Sequence, residues 1–244
     1  MDESYCAEYE RLYRGHWWWR AREAILVRVL RRLHLKPGSA ILDVGCGNAL
    51  AFPALAEFGT VQGIEVDAKL LDASGPCRAK ICTDALDSAT YDDPLWRFDV
   101  ITALDVVEHI EDDGAAVARM VGMLKPGGLV VITVPAFELL WDHHDEINLH
   151  YRRYTAPGLK RTLAGHGVEL LELRYLFPSL FIPKLAVRLL NAGRTRKLTQ
   201  HGIPRPWINR ALERLCVLED RSLGRLPVPF GTSVLAVARR TNLT

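Results

Sequence analysis

Short apolar segments alternate with helical segments through the first half of the chain, and this alternation limits the possible folds more than any other feature. Five segments read as strands: ILDV, TVQGIEV, RAKICTD, FDVITAL and LVVITVP. Amphipathic segments lie between them, such as the one from Glu111 to Leu124, whose apolar residues recur at helical spacing. Strands that alternate with helices in this way form parallel βαβ units. The sequence therefore predicts an α/β fold in which helices cover both faces of a sheet.

The remaining segments add a lid, an insert and two late strands. A helix is expected from Glu23 to Leu35, and VELLELRYLF and SVLAVARR are expected to be the last two strands. The predicted parts are an N-terminal helical lid (1–36), a core (37–177), a helical insert (178–232) and the last strand (233–244). Together they predict one domain with a Rossmann-like, seven-stranded, mostly parallel sheet.

Charge and cysteine content narrow the class of protein. The net charge is +2, so the overall charge gives no reason to expect a nucleic-acid partner. Five cysteines at irregular spacing, without a CxxC pair, favour reduced thiols. The acidic start MDESYCAEYE does not resemble a signal peptide, and no apolar run reaches the roughly 18 residues of a spanning helix. We therefore expect a cytoplasmic protein.

A glycine turn and three acidic residues follow consecutive predicted strands. Gly45 and Gly47 stand in DVGCGNA, where glycine lets the backbone approach a ligand closely. The amides at the start of the next helix favour an acceptor group. Glu65 ends the second strand about 20 residues on, where a carboxylate can accept ribose hydroxyls, and Asp84 and Asp105 end the next two. Open α/β sheets bind ligands at this edge.

These motifs, taken in order, resemble the class I S-adenosylmethionine (SAM) dependent methyltransferases. The matching segments are ILDVGCGNA, GIEVD, CTDAL, FDVITALDVVEHIED and LKPGGLVVITVP. The H-D…H-x-R-R-Y segment is similar to one found in a subgroup of that family. A nicotinamide site is disfavoured because Leu50 stands where a G-x-G-x-x-G motif has its third glycine.

The resemblance implies that the cofactor is SAM and that S-adenosylhomocysteine is released. The implied cofactor-binding residues are Asp43, Gly45, Cys46, Gly47, Glu65, Val66, Asp84, Ala85, Leu104 and Asp105. In the family these positions hold the methionine part, the ribose hydroxyls through Glu65, and the adenine through Asp84. Ala49 departs from the pattern, since the family often has a third glycine there.

Three tryptophans in HWWWR are expected just before the first helix. They either pack on the sheet as a hydrophobic staple or form a lid whose aromatic faces lie near the sulfonium. We expect Trp18 to line the cofactor pocket, and His16 and Trp17 to contact the substrate.

The segment WDHHDEINLHYRRYT begins soon after the fifth strand and should reach the same edge of the sheet. We expect no metal there, because the helical H-E-x-x-H spacing is absent and methyl transfer from SAM needs no Lewis acid. A catalytic base is the alternative, since the pKa of histidine suits the removal of a hydroxyl proton. His144 or His150 is the candidate base, and Asp145 would hold its tautomer.

Other polar residues of this region have two interpretations each. Arg152 is expected to bind a carboxylate or phosphate of the substrate, and His109 to face the substrate from the end of the fourth strand. Alternatively, His109 only starts a helix, and the arginines fasten the loop. For Arg153 and Tyr154 we expect the structural role.

The predicted function is methyl transfer from SAM to a small molecule in biosynthesis, most simply to a hydroxyl with a histidine base. Methylation of nitrogen or carbon in a small or lipid-like metabolite, a nucleic-acid methyltransferase and a non-catalytic SAM-binding module remain alternatives. The insert 178–232 combines apolar and basic residues, so contact with a membrane surface, a lipid-like acceptor or a second subunit stays open.

Overall fold

A mixed sheet of seven strands organises the protein in the computed structural model, which describes residues 3–191, 202–224 and 226–241. The strands are β1 (Ser39–Val44), β2 (Gly59–Ile64), β3 (Ile81–Cys82), β4 (Phe98–Leu104), β5 (Leu124–Pro135), β6 (Val168–Leu176) and β7 (Ser233–Arg240). Their order across the sheet is β3-β2-β1-β4-β5-β7-β6. The pairs among β1 to β5 are parallel, whereas β7 runs antiparallel to both β5 and β6. The predicted fold class is therefore confirmed.

Eight α-helices flank this sheet within the described residues. They are α1 (Glu3–Gly15), α2 (Trp17–Arg32), α3 (Phe52–Leu55), α4 (Asp113–Met123), α5 (His143–Ile147), α6 (Ala156–Leu163), α7 (Pro178–Asn191) and α8 (Pro206–Leu223). Residues 1–2 of the predicted lid, 192–201 and 225 of the predicted insert, and 242–244 beyond β7 lie outside the described residues. No helix in the described part of the chain has the length and apolar character to cross a membrane.

The two faces of the sheet carry separate cores, as the strand sequences predict. Leu42 and Ile101 pack in the core on one face, and their neighbours Ile41 and Val100 pack on the other. All four are buried, because successive side chains of a strand point to opposite faces and helices cover both. This explains why these strands read as continuous apolar runs.

The helix expected from Glu23 to Leu35 begins earlier, at Trp17, and α1 precedes it, so the expectation that the tryptophans stand before the first helix was wrong. The side chain of His16 accepts a hydrogen bond from the amide of Trp18 through Nδ1 at 3.2 Å and so caps the helix. The helix ends at Arg32, and His34 then adopts a left-handed backbone with φ 48°. The tryptophans therefore lie in the first turn of α2.

Charged groups fasten the insert to the lid and the sheet. Asp220 of α8 is buried and lies 3.2 Å from Arg28 of α2 and 2.6 Å from Arg174 of β6. Within the insert, Glu219 of α8 accepts hydrogen bonds from the amide and the hydroxyl of Ser179 in α7 at 2.7 and 2.9 Å. The position of α2 over the sheet is thus fixed by residues far along the chain.

Candidate cofactor and acceptor site

A cleft lies between the lid helices and the carboxyl ends of β1 and β4, the edge at which open α/β sheets bind ligands. Its lining includes Asp43, Gly45, Cys46, Leu104 and Thr133 from the sheet side, and Tyr9, Tyr13, Trp19, Arg22 and Glu23 from α1 and α2. The first four are residues expected to bind the cofactor. The five lid residues were not identified from the sequence, because no local motif marks which face of a helix meets a distant strand end.

The glycine turn follows β1, and its two glycines are constrained in different ways. Gly45 has φ 67°, and a Cβ placed there would lie 2.5 Å from Cγ2 of Val106. Gly47 has φ 51°, and its amide donates to Oε2 of Glu65 at 2.9 Å. The backbone therefore favours glycine at both positions, close packing adds a second constraint at Gly45, and Glu65 ties the turn to the end of β2.

Ala49 also has a left-handed backbone, with φ 57°. This is the position where the related pattern often has glycine. The fold keeps the conformation and accepts a strained alanine, which costs about 1–2 kcal/mol in the left-handed region.

Asp43 lies at the end of β1 and is buried. The hydroxyl of Thr102 donates to its Oδ1 at 2.6 Å. The net pKa of Asp43 is raised to about 7. Burial is the largest cause, the hydrogen bond from Thr102 acts against it, and the negative charge of Glu65 adds to it. A cation bound in the cleft would favour the ionised carboxylate.

Residues expected at the ribose and adenine lie farther along the strand ends. Glu65 is buried, accepts the amides of Gly47 and Asp67 at 2.9 Å each, and has a pKa raised chiefly by burial. Asp84 is exposed and accepts from the Thr90 hydroxyl at 2.5 Å. The exposed Val66 and Ala85 complete this edge. None of these expected contacts lines the cleft itself.

Arg22 crosses the cleft from α2. Its guanidinium pairs with Oδ2 of Asp105 at 2.5 Å and stacks on Trp18 and Trp19, 4.4 and 5.1 Å from the ring centroids. Trp19 lines the cleft and Trp18 does not, so the lining expected of Trp18 belongs to its neighbour. Trp18 instead supports the arginine.

His16 and Trp17 make contacts away from the cleft. His16 caps α2, and the amide of Trp17 donates to the side chain of Asn209 in α8 at 2.9 Å. Neither residue lines the cleft. The substrate contact expected of this pair therefore finds no support in the geometry.

The histidine segment is organised around a buried carboxylate. Asp145 receives Nε and Nη2 of Arg153 at 2.8 and 2.9 Å and pairs with Nδ1 of His150 at 2.8 Å. Burial raises the pKa of Asp145, but the hydrogen bonds from His150 and Arg153 outweigh it and hold the pKa well below its ordinary value. Arg153 has the structural role expected of it, and Asp145 can hold one tautomer of His150.

Two other residues of the segment are placed differently from His150. His144 is exposed on α5. Arg152 is engaged by the protein, since its guanidinium donates to the carbonyl of Glu111 at 2.5 Å and lies 3.2 Å from Asp113. Among the candidate bases, His150 has its Nδ1 held by Asp145.

Glu108 and His109 lie beside His150. The rings of His109 and His150 are 4.5 Å apart between centroids and nearly perpendicular. Burial, then the nearby Asp105, raise the pKa of Glu108 well above its ordinary value. Burial and the neighbouring His150 lower the pKa of His109. The E-H pair was visible in the sequence, but its approach to His150 depends on the fold.

Comparison with known proteins places this site in a family. Residues 18–173, more than half of the chain, match the model of a methyltransferase domain. The chain therefore belongs to the methyltransferase-domain family, and the resemblance to class I SAM-dependent methyltransferases is confirmed. SAM is the cofactor of that class.

Individual relatives match a part of the chain. A ubiquinone biosynthesis O-methyltransferase of Bradyrhizobium diazoefficiens is 37% identical over 114 residues, covering 43% of this chain and 44% of the relative. Phosphoethanolamine N-methyltransferase 1 of Zea mays is 36% identical over 110 residues, covering 43% and 22%. The chain thus matches less than half the length of these curated relatives.

A solved structure shows the same fold over a longer stretch. Phosphoethanolamine N-methyltransferase 2 of Haemonchus contortus, solved with SAM, aligns with a TM-score of 0.57 at 18% identity. The alignment covers 88% of this chain and 52% of that one.

Proposed function

We propose that this protein transfers the methyl group of SAM to a hydroxyl of a small molecule and releases S-adenosylhomocysteine. The observation that carries the proposal is the His150–Asp145 pair, 2.8 Å apart, beside the strand ends where the cofactor residues lie. The similarity to an O-methyltransferase supports an oxygen acceptor.

The cofactor is held along the strand ends. Asp105 and Asp43 face the methionine part, Glu65 binds the ribose hydroxyls, and Asp84 accepts from the adenine amino group. Gly45 and Gly47 let the backbone approach the ligand. The sulfonium makes the methyl group reactive, so the protein has to position the acceptor and remove its proton.

His150 serves as the base in this mechanism. Asp145 accepts the Nδ1 proton of His150, which leaves Nε2 unprotonated and able to take the hydroxyl proton. The hydroxyl oxygen then forms a bond to the methyl carbon while the carbon–sulfur bond breaks, and its electron pair stays on sulfur as a neutral thioether. His144 is the weaker candidate because it is exposed and Asp145 orients the other ring.

A nitrogen acceptor is the second candidate, favoured by the similarity to a phosphoethanolamine N-methyltransferase. An amine with a free lone pair attacks without a base in the transition state. Replacement of His150 would then reduce the rate much less than it does for a hydroxyl.

The test is methyl transfer from isotopically labelled SAM into fractionated cell extract, with products identified by mass spectrometry. The proposal expects a labelled ether in a small molecule, and a rate that falls about 100-fold or more in His150→Ala but little in His144→Ala. Label on a nitrogen or carbon of a small molecule would show that the acceptor atom is not oxygen. Label only in RNA or protein would overturn the substrate class.

Glu65→Gln is the cofactor control. Loss of product in this variant ties the reaction to SAM bound at the proposed site. Tight binding of S-adenosylhomocysteine without label in any fraction would favour a non-catalytic SAM-binding module.

A further inference from the structure

Three potential metal ligands meet beside the end of β4. Glu108, His109 and His150 each present one ligand atom, and these atoms all lie within 4.8 Å of one another. Glu108 and His109 belong to the short helical turn after β4, whereas His150 follows α5. The amide of Tyr151 donates to the carbonyl of Glu108 at 2.8 Å and holds the two segments together.

The carboxylate of Glu108 points to a missing partner. Its side chain is fully buried, and neither oxygen has a hydrogen-bond partner among the described residues. An unpaired carboxyl group in a buried place is costly even when neutral, because its polar atoms have lost their water partners, and a bound cation would supply the missing partner. A ligand atom of each of the two histidines lies within 4.8 Å of it.

Both histidines are oriented as metal ligands usually are. His150 uses Nδ1 for Asp145, which Arg153 locks in place, so Nε2 remains for the cluster. One ring nitrogen of His109 hydrogen-bonds to the backbone of Asn148, which leaves the other ring nitrogen to bind a cation. Ligating histidines commonly pair their other nitrogen with a carboxylate or a carbonyl, which fixes the ring.

We propose that Glu108, His109 and His150 form a binding site for a divalent transition-metal cation, best matched by Zn²⁺. Two imidazole nitrogens and one carboxylate oxygen suit Zn²⁺, whereas Mg²⁺ prefers oxygen ligands. His109 is exposed, which opens the cluster to solvent. The ligand atoms must close by about 1 Å to reach Zn²⁺ bonds of about 2.0–2.2 Å.

This cation would oppose the proposed reaction. Methyl transfer from SAM needs no Lewis acid, and a bound cation occupies the Nε2 atom that His150 uses as a base. Zn²⁺ is therefore expected to inhibit transfer to a hydroxyl. Only this effect on activity rests on the proposed function, because binding itself needs neither SAM nor acceptor.

The experiment measures cation binding to the full chain prepared without a histidine tag. Zn²⁺ titration calorimetry and Co²⁺ absorption are recorded for the wild type and for Glu108→Gln, His109→Ala and His150→Ala. His143→Ala is the matched control, since His143 is exposed and lies 3.1 Å from Glu146 in the same segment. Binding of S-adenosylhomocysteine checks that each variant is folded.

The site predicts saturable Zn²⁺ binding that weakens at least tenfold in each of the three cluster variants and is unchanged in His143→Ala. The absorption spectrum of bound Co²⁺ should be that of a cation with nitrogen and oxygen ligands. A thiolate-to-cobalt charge-transfer band would show a cysteine ligand and overturn the assignment. Equal affinity in all five proteins, or no binding, would also overturn it. Should Glu108→Gln fail to fold, the exposed His109 still tests the site.

The activity measurement separates the two proposals. Zn²⁺ that binds and inhibits supports both. If Zn²⁺ binds and O-methylation continues, the proposed metal site is supported and His150 is not the base. If Zn²⁺ does not bind and O-methylation proceeds, the proposed metal site is wrong and the proposed function stands.

Discussion

Arg22 of α2 pairs with Asp105 at the end of β4, 2.5 Å across the cleft, while its guanidinium rests on two tryptophan rings. A cation at this position suits the carboxylate of the methionine part of SAM, which the proposed binding mode puts beside Asp105. Arg22→Ala should therefore weaken S-adenosylhomocysteine binding about tenfold or more, as expected for a lost charged hydrogen bond of about 1.5–3 kcal/mol. Titration calorimetry measures it.

The control for Arg22 lies on the same helix. Arg31 is exposed and pairs with Glu57 at 2.9 Å, and it does not line the cleft. Arg31→Ala should leave the affinity unchanged. Equal losses in both variants would mean that helix stability, not a contact in the cleft, explains the effect.

Ala49 offers a test of backbone strain in the glycine turn. Its φ of 57° favours glycine, so Ala49→Gly should raise the free energy of unfolding by about 1 kcal/mol. Ala116 is similarly buried but lies inside the helix α4, so Ala116→Gly should destabilise by about 1 kcal/mol. Urea denaturation measures both variants, and a shift of the same sign in the two would refute the strain argument.

Asp43 should make stability depend on pH. The folded protein holds its proton up to a pKa of about 7, against an ordinary value of 3.8, so between these values it binds more protons than the unfolded chain. Wild-type stability then falls with rising pH by about 1.4 kcal/mol per unit. Asp43→Asn has no carboxyl group to titrate, so its free energy of unfolding should rise by about 2–3 kcal/mol relative to that of the wild type from pH 5 to pH 7. Urea denaturation at both pH values measures it.

Asp72 is the control for this titration. Its hydrogen bonds with Ser74 lower its pKa, so the difference between Asp72→Asn and the wild type should not vary between pH 5 and pH 7. Stability curves of Asp43→Asn and wild type that stay parallel with pH would contradict the raised pKa.

The sequence predicted the sheet well because each strand signals itself locally. The run FDVITAL is buried on both faces, and Asp43 and Leu104 end neighbouring strands, so motif order alone places them at one edge. The lid was harder to predict. Which of Trp18 and Trp19 meets the cleft depends on where α2 starts and how it rotates, and both depend on the His16 cap and on α8.

The histidine segment was only partly predictable, because its geometry also depends on contacts between distant segments. The residue types suggested a base, but His144 and His150 were equivalent on sequence grounds. The choice between them comes from the turn after α5, which brings His150 back to Asp145 and next to His109. That meeting of two segments, some 40 residues apart, leaves no local pattern.

Asp145 and Arg153 form the buried ion pair that holds this segment, and its removal should be costly. Asp145→Asn leaves Arg153 buried without a counter-charge, which should lower the free energy of unfolding by about 3–5 kcal/mol. Because the folded pKa of Asp145 is lowered, the wild-type advantage is present above the ordinary value of 3.8 and is lost only at lower pH. Denaturation with urea at pH 7 measures the loss.

Glu146 provides the comparison for Asp145, one residue along the same helix. It is exposed and lies 3.1 Å from His143 on the surface, so Glu146→Gln should change stability by less than about 0.5 kcal/mol. A loss in Asp145→Asn no larger than this would show that the segment is held by its apolar and backbone contacts. His150 would then lack a rigid support, and both its proposed roles would need another explanation for how the ring is oriented.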